Sequence, residues 1–350
     1  LSGWKKGDRI SNEGAIKFFL LGVLSASLIL YGFSLLYGLT GELIFSEISK
    51  VLLVTNLSNS PAALLSVMLI LAGIGFKISV VPFHSWAPDT YEGSPLPVTA
   101  YLSVSSKATG FVALMIILTK VFPDSGSSWG IVLVIISALT MFIGNLSALQ
   151  QSNPVRLLAY SSIAQAGFIL APLAVAGISG DYADGIYASV TYLIIYAFMN
   201  LGAFLVVNVL INTSGSNNIY EWGGLAKHQP LTSIFATIFF FSLAGIPPLG
   251  GWFAKFVVFR SLLSTGEVYG ITLAIIGAIN AVIGLVFYAR ISKIIWMDSQ
   301  SENITVNTKP TLLGPLKVVG FISLVITFIA GIFPNIFSNL GNASALFFNS

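Results

Sequence analysis

The sequence contains no cysteine among its 350 residues. This absence excludes disulfide bonds, thiolate metal sites, iron–sulfur ligation and thiol nucleophiles within the chain. Charged residues are also scarce, at 8% against about 25% in an ordinary soluble domain, whereas 55% of the residues are apolar. Because a soluble protein needs more charge than this to cover its surface, the sequence predicts that lipid surrounds most of the chain.

Nine apolar runs are long enough to cross a bilayer core of about 30 Å as helices, and too long to be barrel strands. The predicted fold is therefore all-α, a polytopic transmembrane helix bundle that forms a single membrane domain over residues 1–350. The predicted spans are Glu13 to Gly38, Pro61 to Val81, Pro95 to Thr119, Trp129 to Leu149, Leu157 to Ile178, Gly185 to Ile211, Leu231 to Leu263, Gly270 to Tyr288, and Leu316 to Phe337.

The loop lysines and arginines fall unequally on the two sides of these spans. Nine lie on one side, namely Lys5, Lys6, Arg9, Arg156, Lys227, Arg290, Lys293, Lys309 and Lys317, and three on the other, namely Lys50, Lys120 and Arg260. The excess places the start of the first span in the cytoplasm. Since the basic residues cluster in loops, the net charge of +3 does not indicate nucleic-acid binding.

Two of the predicted spans are interrupted. The second runs into Pro82, and the seventh contains Pro247 and Pro248 between glycines. Broken helices leave backbone groups that lipid cannot satisfy, so they are typical of polar cavities and transport paths. A lysine followed three residues later by valine lies beside each break, at Lys77 and at Lys255. This shared pattern predicts two related halves, as in an inverted repeat.

Three lysines lie inside apolar segments: Lys77, Lys107 and Lys255. A lysine at the bilayer centre costs about 2.5 to 3.5 kcal/mol, and those near helix ends can instead reach the interface, as Lys17 is expected to do. Lys107 is the least compatible with this alternative, because its predicted span continues for twelve residues on each side. Removal from water and repulsion by a second cation both destabilise an ammonium. The three lysines are therefore predicted to pass protons to one another.

Other polar residues are candidates to extend this path. His84 titrates near neutral pH if it is hydrated, although it could equally be an ordinary loop residue. Asp89 and Glu92 are expected to be solvated, with a proton entrance as the alternative. Tyr160 stands beside Ser161, Ser162 and Gln165 on the fifth span, where hydrogen bonding between helices is the simpler interpretation. Glu13 and Lys17 have the spacing of a helical ion pair.

A 23-residue segment from Gly73 to Pro95, GIGFKISVVPFHSWAPDTYEGSP, resembles the signature of the antiporter-like subunits of respiratory complex I. Its version is closest to subunit N, which is called subunit 2 in mitochondria and chloroplasts. The similarity continues through residues 106–108, 158–163 and 242–248 and covers nearly the whole chain. The sister subunit M usually has a glutamate where this sequence has Lys255, which also favours subunit N.

The resemblance implies a proton-translocating subunit with fourteen helices, of which the nine spans would be the sixth to the fourteenth. The chain begins at Leu1 without a methionine, so it is expected to be part of a longer protein, with the family's fifth-helix glutamate lying upstream. By motif, Lys77, Lys107 and Lys255 match the family's central lysines, whereas Glu13 and Lys17 match the start of its sixth helix. Gln165 stands where the family often has histidine.

The same resemblance implies a translocase subunit that carries neither a redox centre nor a metal or other cofactor of its own. Quinone, flavin and iron–sulfur clusters would reside in partner subunits, and the membrane partners would be of the M, L, K, J, A and H types. The expected location is a prokaryotic cell membrane, a thylakoid or an organelle inner membrane. The alternatives are a subunit of a multisubunit sodium/proton antiporter, a solute permease and a structural scaffold.

Overall fold

The computed structural model describes residues 1–299 and 314–349, and every regular element among them is helical. Lys309, one of the basic residues counted above, lies outside the described residues. The α-helices are α1 (Arg9–Thr40), α2 (Phe45–Val54), α3 (Pro61–Ile78), α4 (Trp86–Gly93), α5 (Leu96–Tyr101), α6 (Lys107–Lys120), α7 (Gly126–Leu149), α8 (Pro154–Ser179), α9 (Tyr182–Ser214), α10 (Leu225–His228), α11 (Pro230–Ala244), α12 (Gly250–Ser264), α13 (Val268–Met297), α14 (Gly314–Ile332) and α15 (Asn335–Asn349).

The all-helical membrane fold is confirmed. Within the described part of the chain, seven helical segments are long and apolar enough to cross a membrane, and a bent pair brings the number to eight. The seventh predicted span corresponds to α11 and α12, which are separated by the non-helical residues 245–249. The prediction of nine spans therefore stays a prediction, as do the inverted repeat and the placement of both breaks inside the membrane.

The ninth predicted span is wrong at its C-terminal end. The run to Phe337 is not one straight helix, because α14 ends at Ile332 and α15 leaves it at an angle of 87°. Pro334 lies in the corner, and proline cannot supply the backbone donor that would continue the helix.

The third predicted span also differs from a regular helix. Between α5 and α6 the chain forms one π-helical turn, Leu102–Ser106, which ends immediately before Lys107. A π-helical turn fits one more residue into the coil, so it changes the direction in which the following side chains point.

Helix α8 forms the centre of the bundle. In its most apolar stretch 94% of the residues are buried, compared with 17% for α1 at the periphery. Small residues let α7 and α8 pack closely: a Cβ atom at Gly144 would lie 2.5 Å from the backbone nitrogen of Ala164, and one at Gly167 would lie 2.9 Å from that of Met141. Helices in lipid associate through such close contacts. The side chains of α8 are therefore held at fixed positions between its neighbours.

Candidate functional site

Lys107 is buried in the middle of the bundle, with 1% of its surface exposed. Its ammonium donates hydrogen bonds to the backbone carbonyl of Ser162 at 2.6 Å and to the hydroxyl of Ser162 at 2.8 Å. Both acceptors belong to α8. The predicted burial of this lysine agrees with the structure. Helix α8 supplies the hydrogen-bond acceptors for its ammonium, which lipid chains cannot provide.

The π-helical turn before Lys107 is held by α9. The Asn200 amide donates to the hydroxyl of Ser103 at 2.8 Å, and the Tyr196 hydroxyl donates to the carbonyl of Ser103 at 3.2 Å. All three residues are buried. Because Ser103 belongs to the π-helical turn, α9 fixes the segment that directs Lys107 towards Ser162. Sequence reasoning missed this contact, although Tyr192, Tyr196 and Asn200 recur at one-turn spacing within an apolar helix.

Lys255 is buried at the second break, with 6% of its surface exposed. Its ammonium donates to the carbonyl of Leu243 at 3.2 Å and to that of Ala244 at 2.6 Å, and it lies 5.1 Å from the centre of the Phe168 ring. The carbonyls at a helix C-terminus lack intrahelical donors and carry a partial negative charge. The end of α11 therefore provides the environment that a buried ammonium requires.

Gln165 connects the surroundings of the two lysines. Its amide nitrogen donates to the Leu243 carbonyl at 3.1 Å, the same oxygen that accepts from Lys255, and its amide oxygen accepts from the Tyr192 hydroxyl. Gln165 lies three residues after Ser162, the partner of Lys107, on the same helix. Polar groups of α8 thus join the Lys107 region to the Lys255 region.

Two further buried contacts join α13 to this core. The Ser161 and Tyr288 hydroxyl oxygens are 2.5 Å apart, and Asn145 of α7 donates to the side-chain oxygen of Asn280 at 3.0 Å. The polar side chains of α13 were not singled out from the sequence. Tyr288 and Asn280 lie eight residues apart in an apolar run, which is the signal that would have identified one polar face.

A cluster of charged residues joins α1, α4 and α8 at one end of the bundle. Lys17 contacts Asp89 at 2.5 Å and Glu13 at 2.7 Å, while Arg156 contacts both Asp89 and Glu92 at 2.8 Å. Although burial alone would raise the pKa of the Asp89 carboxyl, hydrogen bonds from Lys17 and Arg156 hold that pKa below its ordinary value. Asp89 therefore remains ionised.

Asp89 and Glu92, which were expected to be solvated, are only partly exposed. Their side chains are 25% and 23% exposed, and both are ion-paired. The predicted pairing of Glu13 with Lys17 agrees with the structure, and Lys17 also reaches across to α4. Sequence spacing showed only the contact within α1, because the partner on α4 is 72 residues away.

Three sequence-predicted site residues stand apart from these contacts. Lys77 is exposed, and its ammonium lies 5.8 Å from the centre of the Phe76 ring. His84 is half-buried, and its Nδ1 atom is buried without a hydrogen-bond partner among the described residues. Tyr160 is half-buried, whereas its neighbours Ser161 and Ser162 make the buried contacts. Within the described residues, no group of three His, Cys, Asp or Glu side chains could hold a metal ion.

Curated proteins similar to this chain are subunits of NADH- or NAD(P)H-quinone oxidoreductases. It is 40% identical over 349 residues to NADH-quinone oxidoreductase subunit N of Moorella thermoacetica, covering 99% of this chain and 70% of that protein. It is 39% identical over 352 residues to NAD(P)H-quinone oxidoreductase subunit 2 of Trichormus variabilis, covering 98% of this chain and 66% of that protein. The chain thus spans about two thirds of the length of these relatives.

Two solved structures show the same arrangement of helices. A chain of respiratory complex I from Thermus thermophilus superposes with a TM-score of 0.76 at 27% identity, covering 97% of this chain and 70% of that one. A chain of the Mrp complex from a Dietzia species superposes with a TM-score of 0.85 at 22% identity, covering 98% and 69%. The Mrp likeness shows the fold alone, and both neighbours come from multisubunit membrane complexes.

A family model described as "NADH:quinone oxidoreductase/Mrp antiporter, TM" matches residues 1–284. These residues include α1 to α12, and therefore the ionic cluster, Lys107 and Lys255. Together with the 40% identity to a subunit N, the match confirms the family that the motif around Lys77 indicated. The chain belongs to the transmembrane family of NADH:quinone oxidoreductase and Mrp antiporter subunits.

Proposed function

We propose that this chain moves protons across the membrane as the subunit N component of a complex I-like quinone oxidoreductase. The observation that carries the proposal is the pair of buried lysines, Lys107 and Lys255, whose partners are joined by Gln165 of α8. A buried ammonium is costly in a membrane, so ionisable residues at such positions usually have a function. Quinone reduction would take place in partner subunits and would drive the transfer.

The proposed path begins at the charged cluster of Lys17, Asp89 and Arg156. A proton enters there and binds to Lys107, which is a neutral amine before it arrives. The resulting Lys107 ammonium then releases a proton, which reaches Lys255 through the hydroxyl and amide groups of α8. Each step transfers one proton from donor to acceptor, and no other bond changes. Repulsion between the two lysines disfavours simultaneous charging, so the arrival of one proton promotes the departure of the next.

Lys77 takes a different part in this proposal. Its exposed ammonium forms no ion pair with any described residue. The family resemblance implies a glutamate on a helix upstream of this chain, and an exposed lysine at the end of α3 is available to pair with it. The cluster residues Glu13 and Lys17, together with His84 and Tyr160, remain candidates to extend the path.

The test is the variant Lys107→Ala in the full-length subunit of the assembled complex. We expect redox-driven proton pumping into membrane vesicles to fall at least tenfold, while a native gel shows normal assembly. Lys120→Ala, at the far end of the same helix and half-buried, is the matched control and should pump normally. Normal pumping by Lys107→Ala with normal assembly would reject the proposal.

The family model, whose description includes Mrp antiporters, favours one second candidate, sodium/proton exchange. The same vesicles distinguish the two functions. A proton pump driven by redox chemistry acidifies the vesicle interior without sodium, whereas an exchanger needs a sodium gradient and no electron donor. Sodium-dependent proton movement in the absence of an electron donor would favour the antiporter.

A further inference from the structure

A groove of about 430 Å³ opens between α9, α11 and α14. Most of its lining is apolar, as in Leu205, Phe235 and Phe239. Its polar lining residues among the described part of the chain are Gln229, Thr232 and Lys317. We call it the α9–α14 groove.

The polar residues of the groove lie at one end of it. Gln229 immediately precedes α11, and Lys317 lies in the first turn of α14. From Gln229 to Phe239 the chain rises ten helical residues, or about 15 Å, which is half of a bilayer core of about 30 Å. The groove thus has a polar end at one membrane surface and an apolar interior that extends through one leaflet.

The polar end carries positive charge. Lys317 is exposed and forms no ion pair with any described residue, and the exposed Lys227 lies two residues before Gln229. Both lysines fall on the side of the membrane that the distribution of basic loop residues assigns to the cytoplasm. Basic pockets between helices on that side bind the headgroups of anionic lipids.

We propose that the α9–α14 groove binds an anionic phospholipid, with an acyl chain in the apolar interior and the phosphate beside Lys317. The length of the groove matches one leaflet, and the position of the charge matches a headgroup. A quaternary amine headgroup would place its own positive charge beside Lys317. The site therefore prefers a lipid with net negative charge over a zwitterionic one.

Gly320 provides a way to close the groove without disturbing the bundle. It lines the groove, and a Cβ atom added there would meet only Leu205 Cδ1, at 3.9 Å. A larger side chain can therefore extend into the space that the acyl chain would fill. Gly38 on α1 is also exposed, and a Cβ atom added there would meet no atom within 4 Å, so Gly38→Leu is the matched control.

The experiment uses the full-length subunit in its assembled complex, reconstituted in phosphatidylcholine nanodiscs. A small fraction of the lipid carries a photoactivatable group on the acyl chain, with either a phosphatidylglycerol or a phosphatidylcholine headgroup. After illumination, mass spectrometry locates the labelled peptides. We expect α11 and α14 to be labelled about fivefold more by the phosphatidylglycerol probe, as one basic residue near an anionic headgroup would give.

The variants separate the two parts of the proposal. Gly320→Leu should remove labelling by both probes, because the groove is filled. Lys317→Ala should retain labelling but reduce the preference for the phosphatidylglycerol probe, because the lysine that lines the groove is lost while Lys227 remains nearby. Gly38→Leu and the distant Lys5→Ala should behave like the wild type. Equal labelling of the wild type by both probes would overturn the proposal. The absence of lipid labels on α11 and α14, because a protein segment occupies the groove, would overturn it as well.

Discussion

The two breaks in the helices have similar backbones but differ in the position and burial of the lysine beside them. Helix α3 ends at Ile78, with Ser79 at a left-handed φ of 59°, and α11 ends at Ala244, with Gly245 at a φ of 96°. A proline follows three residues after each of these caps, at Pro82 and Pro248. The first break leaves Lys77 exposed before its cap, whereas the second buries Lys255 after its own.

Alignment of the two caps changes the equivalence of the charged residues. Ten residues after Ser79 lies Asp89, and ten residues after Gly245 lies Lys255. The Lys-x-x-Val pattern in the sequence pairs Lys77 with Lys255 instead, and the backbone does not follow that pairing. One break thus leads into a partly exposed cluster of ion-paired charges, and the other presents helix-end carbonyls to a buried ammonium. Two breaks with similar backbone conformations therefore lie in two different electrostatic environments.

The strongest test of this contrast is Lys255→Met compared with Lys77→Met. Both should lose most proton pumping, since both lysines take part in the proposed mechanism. Only Lys255→Met should also loosen its break, because the buried Ala244 carbonyl is left without its donor at a cost of about 1–3 kcal/mol, whereas the Leu243 carbonyl keeps the hydrogen bond from Gln165. Hydrogen exchange of residues 242–252 in the assembled complex measures this. Unchanged exchange in Lys255→Met would show that the ammonium does not support the break.

Lys255→Arg should reduce pumping nearly as much, while keeping the positive charge. Arginine does not release its proton at physiological pH, and its planar guanidinium has to enter a site fitted to an ammonium. Vesicle pumping assays with the arginine variant measure the effect. A rate close to that of the wild type would mean that Lys255 acts as a fixed charge beside the carbonyls rather than as a proton carrier.

Gly245→Ala should have an intermediate effect. The added Cβ would lie 2.8 Å from Lys255 Cδ, and a left-handed conformation costs a residue other than glycine about 1–2 kcal/mol. We expect pumping to fall severalfold because Lys255 is displaced, with hydrogen exchange raised locally.

The corresponding change at the first break, Ser79→Gly, is the control for Gly245→Ala. Glycine adopts the left-handed conformation without a penalty, so this variant should assemble normally and pump at the wild-type rate. A similar loss of pumping in both variants would show that the caps, rather than the contact with Lys255, determine the result.

The smallest expected effect is that of Asp89→Asn on stability. Folding lowers the pKa of Asp89, so its contribution is complete above its ordinary pKa of about 4 and is lost as the pH falls through the lower folded value. We expect a loss of up to about 1 kcal/mol at neutral pH. The difference in melting temperature from the wild type should be constant above about pH 5 and should shrink below about pH 4.

The control for Asp89→Asn is Glu47→Gln, which breaks the exposed pair of Glu47 with Lys50 on α2. That change should leave the melting temperature nearly unaltered. A melting-temperature difference for Asp89→Asn that stays constant to the lowest pH would show that Asp89 is not stabilised as an anion.

The sequence predicted the helical membrane fold because hydrophobic length determines spanning helices. It also predicted that Lys77, Lys107 and Lys255 are buried because all three interrupt apolar runs; this is confirmed for Lys107 and Lys255 and wrong for Lys77, which is exposed at the end of α3. It could not predict the 87° corner between α14 and α15, because a proline near the end of a span also allows a simple helix end. Nor could it predict the π-helical turn before Lys107, because the contacts that hold Ser103 come from α9, almost 100 residues away.

The sequence predicted which polar residues belong to the site but not the hydrogen bonds and ion pairs between them. Ser162 and Gln165 were noted as polar groups, yet only the structure shows that Ser162 accepts from Lys107 and that Gln165 shares the Leu243 carbonyl with Lys255. Asp89 was expected to be solvated because its partners, Lys17 and Arg156, are more than 60 residues away in the sequence. Contacts between distant segments carry no short-range pattern that a single sequence reveals.

The burial of α8 has a mechanical consequence. Ser162 and Gln165 lie three residues apart on the same helix, a rise of about 4.5 Å, and each forms a hydrogen bond beside a different lysine. A slide or rotation of this part of α8 by a fraction of a turn would break the hydrogen bonds of Ser162 and Gln165 together. A displacement of α8 would therefore change the surroundings of Lys107 and Lys255 at the same time, from whichever end of the helix the displacement is applied.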